Sequence, residues 1–360
     1  MSKYILIIVW LGVMALVQMF MGCQREEKIF GVRELRTIPM FALIVLIPIA
    51  WMAANRGTMM DTYLYLINFR SMPSAIGEIG TFLPTVEKDK GFTALSIVIK
   101  SIFGSDEVIY LLVLAILQCA ALCIVYRKYS ESYLMSIFLF VASAIHVSWM
   151  MNGIRQFIST VIIFAATPLL LKRRYYAVIA VILFASMFHV TALLMLPIVF
   201  IVQGKAWNEK TVFYIVVSLM AMYVFDKYTG VMDFMLQGTE FEGSVANWQA
   251  MGDDGVNPIR VFVNAIPMLL AFLGRNHIKY ENDNLLNICV NMSVITTGLY
   301  LVAMVTSGIM VGRLPIYTSL YNLILLPNLI PKMFTESSER MVRMLMIGFY
   351  MLYYIMEVGF

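Results

Sequence analysis

Uncharged apolar runs about as long as a bilayer is thick constrain this chain more than any other feature. A hydrocarbon core of about 30 Å takes about 20 residues of helix, with about 17 as the practical minimum. Residues 4–21, 38–54, 108–126, 133–151, 285–305 and 314–330 meet that length. The shorter runs 154–171, 212–225, 259–273 and 344–356 are expected to span with their polar ends at the interface. Composition agrees: 61% of the residues are hydrophobic and 13% charged, against about 45–50% and about 25% in soluble domains. The expected fold is therefore all-α, a polytopic integral membrane protein of about 11–12 transmembrane helices. With neither a repeat period nor a linker, residues 1–360 read as one domain. No small-residue cleavage site follows the first run, so it is expected to remain as a helix.

Residues 175–202 are 28 long, more than one crossing needs and less than two, and they contain His189 and Pro197. Two readings stand: a broken or re-entrant hairpin lining a cavity, or one long tilted helix with a buried histidine. Charge bias separates them, because cytoplasmic loops are rich in Lys and Arg. If the stretch returns to the side it left, 16 of the 26 basic residues fall inside, among them Arg25, Arg36, Arg127, Lys172, Lys205, Lys210, Arg275 and Lys279. The segment 226–258, with six acids and the single Lys227, then falls outside. The hairpin is preferred for this reason, and the loops 55–107 and 226–257 are expected on the extracytoplasmic side. Within the first, residues 91–103 are too short to span and are expected as an amphipathic interface helix.

The net charge of +4 is modest and its cations are spread among loops, which argues against a nucleic-acid partner. Cys119, Cys123 and Cys289 lie in apolar runs and Cys23 in a basic loop, a pattern of packing residues without a disulfide framework. Once the inner charges are set aside, the polar residues left at membrane depth or on the outer rim are few. They are Arg56, Asp61, Arg155, His189, Arg260 and Arg313. Four arginines from separate helices on one side point to an anion site, because a planar guanidinium matches phosphate oxygens bidentately. For any one of them alone, snorkelling to headgroups explains it equally well. The external anion that suits a membrane enzyme best is a lipid pyrophosphate.

Several short motifs carry a resemblance. RGTMMDTYLY at 56–65, containing Arg56, Asp61 and Tyr65, is followed by Phe69 and by DKGF at 89–92. NGIRQ at 152–156 contains Asn152, Arg155 and Gln156; Phe188, His189 and Pro197 follow, and Arg313 leads to Tyr317. In their order and spacing these resemble the EpsG-type branch of the Wzy-like exopolysaccharide and capsule repeat-unit polymerases, along most of the chain. The resemblance implies an enzyme of the bacterial cytoplasmic membrane with its active site facing outside. Its substrate would be an oligosaccharide on undecaprenyl pyrophosphate, and its partners membrane lipids and other polysaccharide-assembly membrane proteins. A sugar hydroxyl would attack an anomeric carbon and lipid pyrophosphate would leave, with no cofactor.

On that reading His189 is the first candidate general base, since an imidazole of ordinary pKa about 6.5 accepts a proton at neutral pH. A cavity histidine that only hydrogen-bonds sugar is the alternative. Asp61 is the second candidate, although five residues from Arg56 it is expected to pair with that guanidinium. Arg155, Arg260 and Arg313 are assigned to the pyrophosphate without a metal. Glu87 and Asp89 have the acid-x-acid form of metal-dependent transferases, but Lys88 and Lys90 beside them favour solvated loop charges. Trp248, in the acidic outer segment, is the aromatic residue placed to stack on a sugar ring. A flippase for lipid-linked sugars would also need about 12 helices and a basic cavity, and a polysaccharide ligase would need nearly the same chemistry. The absence of a repeat and the one-sided polar cluster speak against the flippase.

Overall fold

The computed structural model describes residues 2–29, 32–57, 61–227, 252, 255–281 and 283–359. In chain order the elements are α1 (Ser2–Met21), β1 (Gln24–Ile29), β2 (Val32–Thr37), α2 (Pro39–Ala54), α3 (Thr62–Ser71), α4 (Ile79–Phe82), α5 (Lys90–Phe103) and α6 (Glu107–Tyr129). They continue with α7 (Tyr133–Ala142), α8 (Ile145–Asn152), α9 (Ile154–Ala165), α10 (Thr167–Leu171), α11 (Tyr175–Ser186), a 3-10 turn (Val190–Leu194) and α12 (Met195–Ile201). The remaining helices are α13 (Glu209–Lys227), α14 (Pro258–Leu273), α15 (Arg275–Glu281), α16 (Asn284–Met304), α17 (Ile316–Ser319), α18 (Asn322–Met333) and α19 (Glu336–Val358). Where the sequence reads as one domain, the chain forms two compact units, Met1–Leu196 with Phe334–Phe360, and Pro197–Met333, divided inside α12.

The protein is an all-α polytopic membrane protein. Among the described residues, α1, α6, α16 and α19 are long and apolar enough to cross a membrane, and α7 with α8 makes a fifth span if the bent pair counts as one. Shorter apolar helices of 10–17 residues add to these: α2, α9, α11, α14 and the stretch Val190–Ile201. The run 133–151, read from the sequence as one straight crossing, is bent by 74° between α7 and α8. Ala144 turns the chain there with φ 56°, and the fully buried His146 Nδ1 meets Ser143 Oγ at 2.6 Å. Run 154–171 is divided into α9 and α10 at Ala166, with Pro168 in the first turn of α10. The break foreseen near His189 is present: α11 stops at Ser186, and the 3-10 turn packs against α11 and α9.

In the first unit α6 is the central helix, packed on α2, α5 and α9. Asp106 caps its start by accepting from Ile109 N at 2.9 Å, and Arg127 and Lys128 stand in its last turn, where helix dipole and cation agree. The basic segment after α1, expected as a loop, is the antiparallel hairpin β1–β2. Its cations are matched by acids: Arg25 and Arg127 share Glu27 at 2.8 and 2.7 Å, and Arg36 pairs with Glu34. Those cations hold the Glu27 carboxyl below the usual carboxylate range. Arg36 also donates to Ser130 O at 2.7 Å, tying the hairpin to the C-terminal end of α6.

Helix α5 forms within the expected bounds and is amphipathic, but its charge is turned inward. Lys100, 5% exposed, donates to the carbonyls of Phe69, Arg70 and Met72 at 2.9, 2.9 and 2.6 Å. It thereby satisfies the C-terminal carbonyls of α3. The expected interface helix is instead a packed element, because the amine finds better partners in the end of α3 than in water.

In the second unit α16 is buried along most of its length and carries α13, α14 and α18 around it. A Cβ at Gly298 would lie 2.5 Å from the Tyr214 ring and 2.6 Å from Ser218 Oγ, so glycine sets how closely α13 approaches.

Candidate functional site

The residues of three sequence motifs meet in the first unit. Tyr65 on α3, Lys88 and Asp89 before α5, Phe92 and Thr93 on α5, and Arg155 at the start of α9 line a cavity of about 210 Å³. Its floor is a hydrophobic cluster that includes Tyr65, Phe69, Phe92, Tyr110, Ile154 and Phe188. Phe69 stacks on Tyr110 at 3.9 Å, and the Tyr110 hydroxyl is bonded to Ser96 Oγ at 2.9 Å. This rigid floor comes from the apolar faces of α3, α5, α6 and α9, so the polar groups above it are held by packing.

Arg155 Nη1 donates to Asp89 Oδ2 at 2.6 Å, and its guanidinium carbon lies 5.5 Å from the Tyr65 ring centre. The Arg155 Nε is buried and makes no hydrogen bond. Asp89 occupies the left-handed region, φ 55°, at the N-terminal boundary of α5. The next turn is anchored by Gly91 N donating to Met187 O at 2.8 Å. A Cβ on Gly91 would lie 2.8 Å from Met187 Cβ. Glycine therefore allows the DKGF turn to dock on the break after α11, and that docking puts Asp89 in front of Arg155.

Arg56 flanks the same cluster, close enough to Tyr65 and Tyr110 to act on both electrostatically, as Arg155 also does. The expected pairing with Asp61 is not formed: Arg56 Nε donates to Thr62 Oγ1 at 2.9 Å. Its Nη2 is buried without a hydrogen-bond partner. Burial lowers the Arg56 guanidinium to about 10, so it stays charged at neutral pH. Asp61 precedes the first turn of α3 with its side chain not capping the helix.

His189 and Gln156 are brought together through Thr191. His189 Nδ1 faces Thr191 Oγ1 at 2.7 Å and accepts from Thr191 N at 3.3 Å, while Gln156 Nε2 donates to Thr191 Oγ1 at 3.3 Å. A ring whose Nδ1 accepts from a backbone N–H carries its proton on Nε2 when neutral. His189 so arranged presents a donor, and its basic nitrogen is engaged by Thr191. Asn152 lies at the end of α8 and donates to Ser148 Oγ at 3.3 Å.

Arg260 and Arg313 belong to the second unit. Arg260 is in the first turn of α14, capped by Asn257 Oδ1 accepting from Ile259 N at 2.8 Å. Val256, just before that cap, donates to Ala303 O at 3.1 Å. The same Val256 side chain lies where a Cβ on Gly312 would reach, 2.7 Å away. The segments carrying Arg260 and Arg313 thus meet at the Met304 end of α16. Tyr317 is 1% exposed and is a core residue here, which removes it from direct contact with a sugar in this arrangement. Trp248 and Asp254 lie outside the described residues. The four arginines fall into two pairs, one on each unit.

Sequence reasoning undervalues one residue of this site and misses one buried histidine of the same unit. Asp89 was weighed as a solvated or metal-binding loop charge, and the signal that could have raised it was the turn-forming DKG preceding an amphipathic run. His146 is a second intramembrane histidine at a helix break, hidden because the apolar run around it appears continuous. Among the described residues no three His, Cys, Asp or Glu side chains gather as a metal site.

No curated protein and no solved structure matches the chain at a significant level. A family model does, over residues 39–358, a span that contains the Arg56, Asp89, Arg155, His189, Arg260 and Arg313 segments just described. The chain belongs to the EpsG family.

Proposed function

We propose that the protein polymerises lipid-linked oligosaccharide repeat units on the outer face of the bacterial cytoplasmic membrane. The growing glycan passes from undecaprenyl pyrophosphate to a hydroxyl of the next lipid-linked unit. Family membership supports a polysaccharide polymerase-like role in general, and one observation carries the finer reading. Arg155, Tyr65 and Asp89 come from three separate segments to one small cavity. At about 210 Å³ it is smaller than the about 300–1,000 Å³ that encloses a drug-sized ligand, which suits a phosphate group or one sugar ring at a time.

In this reading Arg155 meets the charge that develops on the departing pyrophosphate, and a preorganised guanidinium does so without rearranging. Asp89 fixes its fork, and an incoming phosphate must compete with that carboxylate for the guanidinium. Arg56 is close enough to Tyr65 to act on it electrostatically and has a buried Nη2 donor without a hydrogen-bond partner. Arg260 and Arg313 carry the same expected role on the second unit. His189, with Nδ1 engaged, orients the chain of Thr191 and Gln156. The proton of the attacking hydroxyl then goes to a carboxylate, for which Asp89 and Asp61 are the candidates.

Deleting the gene and analysing the lipid-linked intermediates tests this. Single repeat units accumulating on the outer leaflet are expected. Units trapped on the inner leaflet would identify a flippase, and finished polymer left on its lipid carrier would identify a ligase.

A further inference from the structure

A cavity in the second unit has no part in the chemistry above. It measures about 950 Å³ and is lined by Lys205, Trp207, Lys210, Phe272, Arg275 and Lys279, with Asn287 at its back. Glu209 is the single acid among its lining residues, so the wall is strongly cationic. Lys210 is already committed, donating to Phe200 O at 2.6 Å and Gln203 O at 3.0 Å. Lys205, Arg275 and Lys279 are exposed on the rim.

The cavity is built, not incidental. Asn287 Oδ1 accepts from Ala206 N at 2.8 Å, and one turn further along α16 Asn291 Oδ1 accepts from Trp207 N at 3.3 Å. Asn291 Nδ2 also donates to Val202 O at 2.9 Å. These bonds hold Trp207 in the left-handed region at φ 59°, a conformation that persists only where the surroundings over-determine it. The indole packs edge-on to Phe272 with ring centres 5.4 Å apart, and the Arg275 guanidinium carbon lies over the same ring, 4.7 Å from its centre. The Trp207 Nε1–H is buried and makes no hydrogen bond.

What lies beside the cations decides what they bind. The helices rising from the cavity expose apolar side chains: Val212, Phe213 and Val216 on α13, and Leu269, Phe272 and Leu273 on α14, between 43% and 70% exposed. A soluble anion has no use for such walls; an anion carrying acyl chains does. The cavity is at the Asn287 end of α16, about 25 Å along the helix from Arg260 and Arg313, at the end where the Lys and Arg excess places the cytoplasm.

We propose that this cavity is a binding site for the phosphate headgroup of an anionic phospholipid in the leaflet at the opposite end of α16 from Arg260 and Arg313. Lys205, Arg275 and Lys279 hold the phosphate, the Trp207 N–H donates to a headgroup oxygen, and the acyl chains lie on α13 and α14. Basic pockets between transmembrane helices take anionic headgroups in this way.

The test is native mass spectrometry of the full-length protein released from nanodiscs of phosphatidylglycerol mixed with phosphatidylcholine. One phosphatidylglycerol retained in preference to phosphatidylcholine is expected, and inorganic phosphate should not displace it. Each cation removed should weaken retention about fivefold, so K205Q/R275Q/K279Q should lose the lipid while K205R/K279R keeps it. Neutralising Lys172, Arg173 and Arg174 in the first unit should leave retention unchanged, which separates site from bulk charge. Equal retention by the triple variant, or equal retention of phosphatidylcholine, overturns the proposal. Displacement by inorganic phosphate at concentrations that leave bulk lipid in place overturns the lipid and makes the site one for a soluble anion.

Discussion

At the scale of residues, the candidate site is decided by who faces whom, and its predictions follow from single contacts. Arg155 donates to Asp89 with one Nη and keeps a buried Nε without a partner, so a planar fork is what the position offers. Arg155→Lys retains the charge and loses the fork. A charge-assisted hydrogen bond is worth about 1.5–3 kcal/mol, so polymer formed per unit of membrane protein should fall about 10–100-fold; unchanged yield would leave only electrostatic steering. His189 gives the opposite expectation. Its Nδ1 is held by Thr191, so His189→Gln, which keeps hydrogen bonding without a useful pKa, should retain polymer yield within about tenfold, whereas removing a true general base costs about 10²–10⁴-fold. A loss in that upper range, together with a flattened acid limb of the pH profile, would restore the base role to His189.

Elements obey a different constraint, the satisfaction of helix ends. Lys100 sits inside the protein with its amine donating to three carbonyls at the end of α3, which keeps the buried charge hydrogen-bonded. Lys100→Met keeps the stem and removes all three bonds; Phe69 O retains its bond from Met72 N, and the loss of the amine should cost about 1–3 kcal/mol in total. Thermal unfolding of the detergent-solubilised variant should begin at clearly lower temperature than wild type, and an unshifted midpoint would contradict the burial. The docking of α5 depends on a second contact, Gly91 against Met187. Gly91→Ala introduces a carbon where none fits, with an overpacking cost of about 1–3 kcal/mol. It should reduce polymer yield while leaving membrane insertion intact, because Asp89 moves with that turn. Breaks at Ala144 and at Met187–His189 belong to this scale too: each ends a helix beside a histidine, and each is closed by a hydroxyl, Ser143 or Thr191.

For the whole molecule the question is sidedness. Within the second unit the cations of the large cavity and the pair Arg260 and Arg313 stand at opposite ends of α16. Within the first, Arg36, Arg127 and the hairpin gather at the Tyr129 end of α6, and Arg155 and Asp89 near Tyr110 at the other. The orientation expected from the Lys and Arg bias would put the first-named end of each helix inside, and labelling tests it. In a background with Cys23→Ser, Gly80→Cys should react with an impermeant thiol reagent in intact cells, and Lys172→Cys and Arg275→Cys should react only after permeabilisation. Labelling of Arg275→Cys in intact cells would mean that the stretch 175–202 crosses once and that the second unit is inverted.

Sequence alone was enough for the membrane class, the helical architecture, the break at His189 and the motifs that carry the family, because apolar run length and charged-residue asymmetry are read along the chain without knowledge of neighbours. It could not show that the segment 24–37 is a hairpin, since the pairing of Glu27 with both Arg25 and Arg127 joins residues 100 positions apart. Nor could it turn Lys100 inward, bend the run 133–151, or choose Thr62 over Asp61 for Arg56. Each of those depends on which polar group finds its partner once the helices are packed. Desolvation makes an unpaired group costly wherever the chain happens to put it, and only the tertiary structure decides which groups are brought within reach.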